Sequence, residues 1–181
     1  MAIVSTLTDG QRAKRKLLIT VAEWGAAGSE QRQFLGARTE DSAIELNPDI
    51  QTSTDIRGNT YTDVEKTEPA QTFDPSYVMG GSDLHTYLSE AFLKNDIDKF
   101  NGAFNIYIIT AYLTDGTTSS SDGKFFTVKH HDCSIFPTSL GGSTYVSMPF
   151  EVHYSNKISE GTIDALTPEF VFTVTQAYVP E

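Results

Sequence analysis

The feature that most constrains this chain is a polar run, Asn47 to Val78 (NPDIQTSTDIRGNTYTDVEKTEPAQTFDPSYV), which leads through Met79-Gly80-Gly81 into an amphipathic helix. A stretch this long, rich in Thr, Asp and Ser and poor in aliphatic side chains, buries too little apolar surface to offset the entropy of ordering it. It nevertheless sits between segments that do carry core residues. The sequence therefore predicts an extended arm, residues 47 to 78, whose partner lies on another molecule. Arg57-Gly58-Asn59 is the expected hairpin tip, with Thr52 to Ile56 and Thr60 to Val64 as legs whose Thr, Tyr and Val suit strand pairing. A two-stranded ribbon of this kind is marginal alone in water.

Behind the arm, Ser82 is a good helix N-cap and Asp83 places negative charge in the first turn, where the helix dipole favours it. Leu84, Tyr87, Leu88, Ala91 and Phe92 follow with the spacing of a single apolar stripe, which predicts a helix from Ser82 to Asn95 packed on a sheet. Elsewhere the pattern is extended. Leu17 to Trp24 alternates and is rich in β-branched residues, and Ala103 to Leu113 is apolar on both faces, as a central covered strand would be. Phe34 to Ala37, Ser42 to Leu46, Lys124 to Ile135, Tyr145 to Tyr154 and Phe170 to Tyr178 are further strand candidates. Thr114-Asp115-Gly116 and Ser121-Asp122-Gly123 bracket a loop, Met1 to Gln11 reads as a loose arm, and Ile158 to Leu166 as a short excursion. Six to nine strands and one helix give a mainly β fold, a β-sandwich or open barrel with one flanking amphipathic helix and a long extended loop. At 181 residues the chain, 1 to 181, is expected to be one domain.

Net charge is −11, and it is unevenly placed. Between Glu40 and Asp98 thirteen acidic residues face only Arg57, Lys66 and Lys94, whereas Arg12, Lys14, Arg15 and Lys16 form a basic cluster. The overall acidity argues against a protein that grips nucleic acid through its phosphates. Cys133 is the single cysteine, so no disulfide can form within the chain. The stretch LLITVA after RAKRK is shorter than a signal-peptide core and is expected to be a strand, and no run approaches the roughly 20 apolar residues of a membrane span. The chain is accordingly expected to be soluble.

Candidate chemistry is sparse. His130, His131 and Cys133 are residue types that bind zinc, but they lack paired metal-site spacing and are expected to be ordinary strand residues. Gly80-Gly81-Ser82 and Gly141-Gly142-Ser143 do not extend into a phosphate-binding motif and read as turns and caps. Carboxylate pairs such as Asp96 with Asp98, or Glu65 with Glu68, read as solvated surface. No enzyme, metal or cofactor is expected.

The order of these parts resembles the major tail tube proteins of long-tailed bacteriophages: short strands, an acidic arm (TSTDIRGNTYTDVEKTEPAQTFDPSYV), a Gly-Gly hinge, one amphipathic helix (SDLHTYLSEAFL), then long strands. The resemblance implies a structural virion protein of the tail, made in the bacterial host cytoplasm, that forms hexameric rings stacked into a tube. Its implied partners are further copies of itself, a tape-measure protein and tail-end proteins, with genomic DNA passing through during ejection. An acidic wall suits such passage, because a basic one would hold the phosphates. On this reading Asp49, Thr52, Asp55, Arg57, Asn59, Tyr61, Asp63, Glu65 and Lys66 make the inter-subunit or inter-ring contact, and Leu84, Tyr87, Leu88 and Phe92 anchor the arm. A carbohydrate-binding β-sandwich module is the alternative, since exposed aromatic rings can stack on sugars.

Overall fold

The computed structural model describes residues 3–39, 42–114 and 124–179. In chain order its strands begin with β1 (Val4–Ser5), β2 (Leu18–Trp24), β3 (Gln31–Phe34) and β4 (Ile44–Glu45), then β5 (Pro48–Thr54), β6 (Thr60–Thr67) and β7 (Ala70–Phe73). Helix α1 (Asp83–Lys94) follows. The remaining strands are β8 (Phe104–Thr110), β9 (Leu113–Thr114), β10 (Phe125–Pro137), β11 (Phe150–His153), β12 (Ile158–Ile163) and β13 (Phe172–Gln176). The loop expected between Thr114 and Gly123 lies outside the described residues beyond Thr114.

One sheet runs β3-β2-β8-β10-β12-β13, with every pair antiparallel. β2 and β8 pair along their whole length, from Leu18 opposite Thr110 to Trp24 opposite Phe104. β10 then bends. Its register shifts between His130 and Cys133, where Asp132 takes a left-handed φ of 51°, and Ser134 to Pro137 pair with β11 instead of continuing against β12. Such a bulge inserts an extra residue and turns the strand. From there a second sheet continues β11-β7-β4. A single long strand thus feeds both layers of an open β-sandwich with a flanking helix.

The space between the layers holds the larger core, with Trp24, Phe73, Phe104, Ile106, Ile135 and Phe150 buried alongside Leu84, Leu88 and Ala91 of α1. Alternation sends Val21, Tyr107 and Ile109 to the opposite face of the first sheet, where Ile163 and Phe170 cover them. Gln71 of β7 is the polar rivet between layers. Its carbonyl oxygen accepts from Thr20 Oγ1 at 3.0 Å and its amide donates to Ser42 Oγ at 3.0 Å, so both polar atoms of a buried amide have a partner.

The helix forms where its capping residues put it. Ser82 Oγ accepts from the His85 amide at 3.3 Å, and Asn95 closes the other end in the left-handed region. Tyr87 packs edge-on to Phe104 with ring centroids 5.9 Å apart. Phe92, expected in the buried stripe, is 37% exposed, because it lies at the margin of the arc centred on Leu84, Leu88 and Ala91.

Four further expectations change. Phe34 to Ala37 is not a strand: β3 runs Gln31–Phe34 and the chain turns away after it. Ile158 to Ile163 is a full strand between β10 and β13 rather than an excursion; its polar residues Ser159 and Thr162 are buried, which hides the pattern. Of Tyr145 to Tyr154 only Phe150 to His153 pairs as a strand, and Tyr145 and Val146 are exposed. Pro149, lacking an N–H, stands where the pairing stops. Val4 and Ser5, expected in a loose arm, pair with Thr114 and Leu113.

Candidate functional site

The polar run divides in two. Pro48 to Thr67 forms a two-stranded sheet of its own, β5-β6, while Ala70 to Phe73 is strand β7, with Ala70, Gln71 and Phe73 buried. The projecting part of the arm therefore ends at Thr67 rather than Val78. The difference is burial: Ala70, Gln71 and Phe73 enter the core, whereas Ile50, Tyr61 and Val64 of the hairpin stay exposed.

All seven residues of β5 are exposed. Register sets which side chains share a face: Ile50, Thr52 and Thr54 stand opposite Val64, Thr62 and Thr60, and Gln51 and Ser53 opposite Asp63 and Tyr61. One face is thus uncharged, made of threonines with Ile50 and Val64 at its base. The other carries Asp63, and Asp49 lies on it by alternation, paired across the ribbon with Lys66. A register shift between Asp49 and Ile50 leaves Glu65 as the extra residue. The side chain of Glu65 lies outside the described residues.

Asp55 builds the tip. Its Oδ1 accepts from the amides of Arg57 at 2.8 Å and Asn59 at 2.9 Å, and its Oδ2 from Asn59 Nδ2 at 3.1 Å and Tyr61 Oη at 3.2 Å. Hydrogen bonds from Asn59, then from Arg57 and Tyr61, hold this carboxyl below its ordinary value. Gly58 occupies the left-handed region at φ 82°, as the turn requires. Asp55 N also donates to Asn59 O at 2.9 Å, so the turn is closed from both sides. Ile56 is left fully solvated at the apex. At the base Lys66 Nζ meets Glu68 Oε1 at 2.5 Å on the open surface.

The structure brings Asp55, Arg57, Asn59 and Tyr61 together at the tip and places Asp49, Thr52, Asp63 and Lys66 along the ribbon. Leu84 and Leu88 sit instead in the core, in the same cluster as Phe73, with Tyr87 partly buried against it. They hold the layer from which the hairpin springs.

No protein-family model and no curated protein matches the chain. Solved structures do. The sheath/tube terminator of an extracellular contractile injection system, PVC, in its extended state is similar over 84% of this chain and 99% of its own, at 11% identity and a TM-score of 0.46. The tube-terminating cap of the anti-feeding prophage is similar over 86% and 95%, at 15% identity and a TM-score of 0.44. A chain of the baseplate of the same prophage is similar over 85% and 97%, at 12% identity and a TM-score of 0.44.

Other sequence candidates find local partners. His130 Nδ1 lies 2.8 Å from Ser155 O and His131 Nε2 2.8 Å from Ser159 Oγ. Burial pushes the Cys133 thiol up to about 11. Among the described residues no group of three His, Cys, Asp or Glu side chains converges on a point. Gly142, at φ 154°, lies so near Tyr145 O that a Cβ there would stand 2.0 Å away, which accounts for the second Gly-Gly pair as a turn.

Sequence reading missed the charged cluster on the outer face of the first sheet. Glu23 is 3% exposed and accepts from Arg32 Nε at 2.6 Å, Lys129 Nζ at 2.9 Å, Asn105 Nδ2 at 2.9 Å and Tyr107 Oη at 2.9 Å. Burial pushes its carboxyl up, but Lys129 and Arg32 outweigh that and hold it below the ordinary value. The signal was present: Glu23 is the one acid inside an otherwise apolar strand. Every lone pair is matched, so the cluster ties strands together rather than offering a reactive group.

Proposed function

We propose that the chain is a structural subunit of a phage-type tail tube, assembling as hexameric rings stacked into a hollow conduit and making no covalent chemistry. The single observation that carries this reading is the β5-β6 hairpin. Among the described residues its strands pair only with each other, β5 is fully exposed, and Ile56 stands solvated at the apex, yet the turn is tied by Asp55. A ribbon without a packed face is marginal alone, and a preorganised one loses little entropy on docking. Its contact residues would be Asp49, Thr52, Asp55, Arg57, Asn59, Tyr61, Asp63, Glu65 and Lys66. The short outer strands β4 and β13 add edges on which a neighbouring copy can extend each sheet. Net acidity is compatible with passage of DNA and, in the same lumen, a tape-measure protein.

A chain lacking Asp55 to Asp63 tests the reading. It should fold with an unchanged core and fail to form rings or tubes under conditions where the full chain forms them. Loss of folding would place the hairpin in the core's stability instead, and normal assembly would remove it from the interface.

One observation favours a carbohydrate-binding module as a second reading. Tyr77 and Tyr145, ring centroids 6.4 Å apart, line a shallow cleft of about 420 Å³ with the hydroxyls of Ser143, Thr144 and Ser147. Binding to a glycan array by a stable monomer would support it.

A further inference from the structure

Resting on the tube-subunit reading, we infer that the hairpin of one copy docks on the basic segment Arg12 to Lys16 of a second copy. This segment places four cations within five residues, with no acid among them, and all four are exposed. Arg15 is spent internally, donating to Leu18 O at 2.5 Å and Ser42 O at 2.7 Å, and the amide of Leu17 donates to Lys14 O at 2.9 Å. These bonds fix the turn. Arg12, Lys14 and Lys16 are left in solvent, and among the described residues none of them forms an ion pair, whereas Arg32, Lys66, Lys94, Lys99, Lys129 and Lys157 all do.

The hairpin and its base supply the opposite charge. Glu45, Asp49, Asp55, Asp63, Glu65 and Glu68 stand against Arg57 and Lys66, and Lys66 is already engaged by Glu68. Strand alternation gathers Asp49 and Asp63 on one face, where, among the described residues, the only cation, Lys66 opposite Asp49, is bonded to Glu68, so the ribbon has a net acidic side and an uncharged side. Two copies of charge −11 repel at a distance, and self-association needs a local reversal of sign. The basic segment and the carboxylate face provide one. Complementarity of this kind fixes register and partner choice.

Two variants test the inference. Arg12→Glu with Lys14→Glu and Lys16→Glu reverses the segment; Asp49→Lys with Asp63→Lys reverses the face. All five positions are exposed, and a circular-dichroism melt checks that each variant folds. Either variant alone should lose at least about tenfold in the assembled fraction read by sedimentation, and salt near 0.5 M should weaken wild-type assembly in the same direction. The two variants mixed in equal amounts should assemble again, because each then meets the complementary charge on the other. Wild-type-like assembly of the single variants, or no rescue in the mixture, overturns the inference while the tube reading stands. Failure of the wild type to assemble under any condition overturns that reading too.

Discussion

Arg32 Nε lies 2.6 Å from Glu23 Oε2, its guanidinium carbon 4.6 Å from the centre of the Phe170 ring, and Arg32 Nη1 donates to Phe170 O at 2.8 Å. One side chain therefore joins β2, β3 and the C-terminal segment. Removing the carboxylate by Glu23→Ala strands Arg32 and Lys129 beside a buried face. Breaking such a pair costs about 3–5 kcal/mol when both partners are buried. Arg32 is 26% exposed and can partly re-solvate, so the expected loss is near the lower end. Urea unfolding measures it, and a change below about 0.5 kcal/mol, the size of an ordinary surface substitution, would show that the cluster contributes nothing net.

His85 gives stability a pH dependence. Its ring lies between Ser76 Oγ at 2.9 Å and Ser82 Oγ at 2.8 Å, near Phe150 and at the N-terminus of α1 beside Asp83. Burial holds its pKa below the ordinary 6.5. The unfolded chain then takes up the proton first, so stability is full above pH 6.5 and falls as the pH drops below it. Melting temperature should decline from pH 7 to pH 5, and His85→Gln should flatten that slope. An identical slope in the variant would assign the effect to other groups.

Gly161 lets the last strand approach. A Cβ at this position would stand 2.3 Å from Thr173 O and 2.8 Å from the Phe172 ring. Gly161→Ala should push β13 off β12 at a cost of about 1–3 kcal/mol, with faster hydrogen exchange confined to residues 170–178. Unchanged protection there would mean that the strands separate without loss.

Leu88, fully buried in the layer between α1 and the sheets, should cost about 2–5 kcal/mol on Leu88→Ala. Asp55→Ala, by contrast, should leave the unfolding midpoint unchanged while amide protection at Arg57 and Asn59 disappears. A fall in global stability with Asp55→Ala would tie the hairpin to the core.

Much of the fold was readable because burial leaves a period in the sequence. Leu17 to Trp24, Ala103 to Leu113 and the stripe through Leu84, Tyr87, Leu88, Ala91 and Phe92 stood out for that reason. Ile158 to Ile163 did not, since Ser159 and Thr162 are polar yet buried, and the partners of Ser159, His131 and the Tyr178 amide, are distant in sequence. The hairpin tip was legible through Arg57-Gly58-Asn59, whose turn chemistry is local, whereas Asp55, read as part of a strand leg, showed its role only through the bonds it accepts from Arg57, Asn59 and Tyr61. The point where the arm re-enters the sheet was not, because Gln71 reads as surface until Thr20 and Ser42 are found beside it. Glu23 was obscured in the same way: its partners lie 9 residues away at Arg32 and 106 away at Lys129.

Electron microscopy of the concentrated, purified chain tests the central claim most directly. Rings of uniform diameter, or tubes built from them, are the predicted result, with the hairpin bridging adjacent copies. A strict monomer at every concentration, even when tail-initiation components are added, would contradict it.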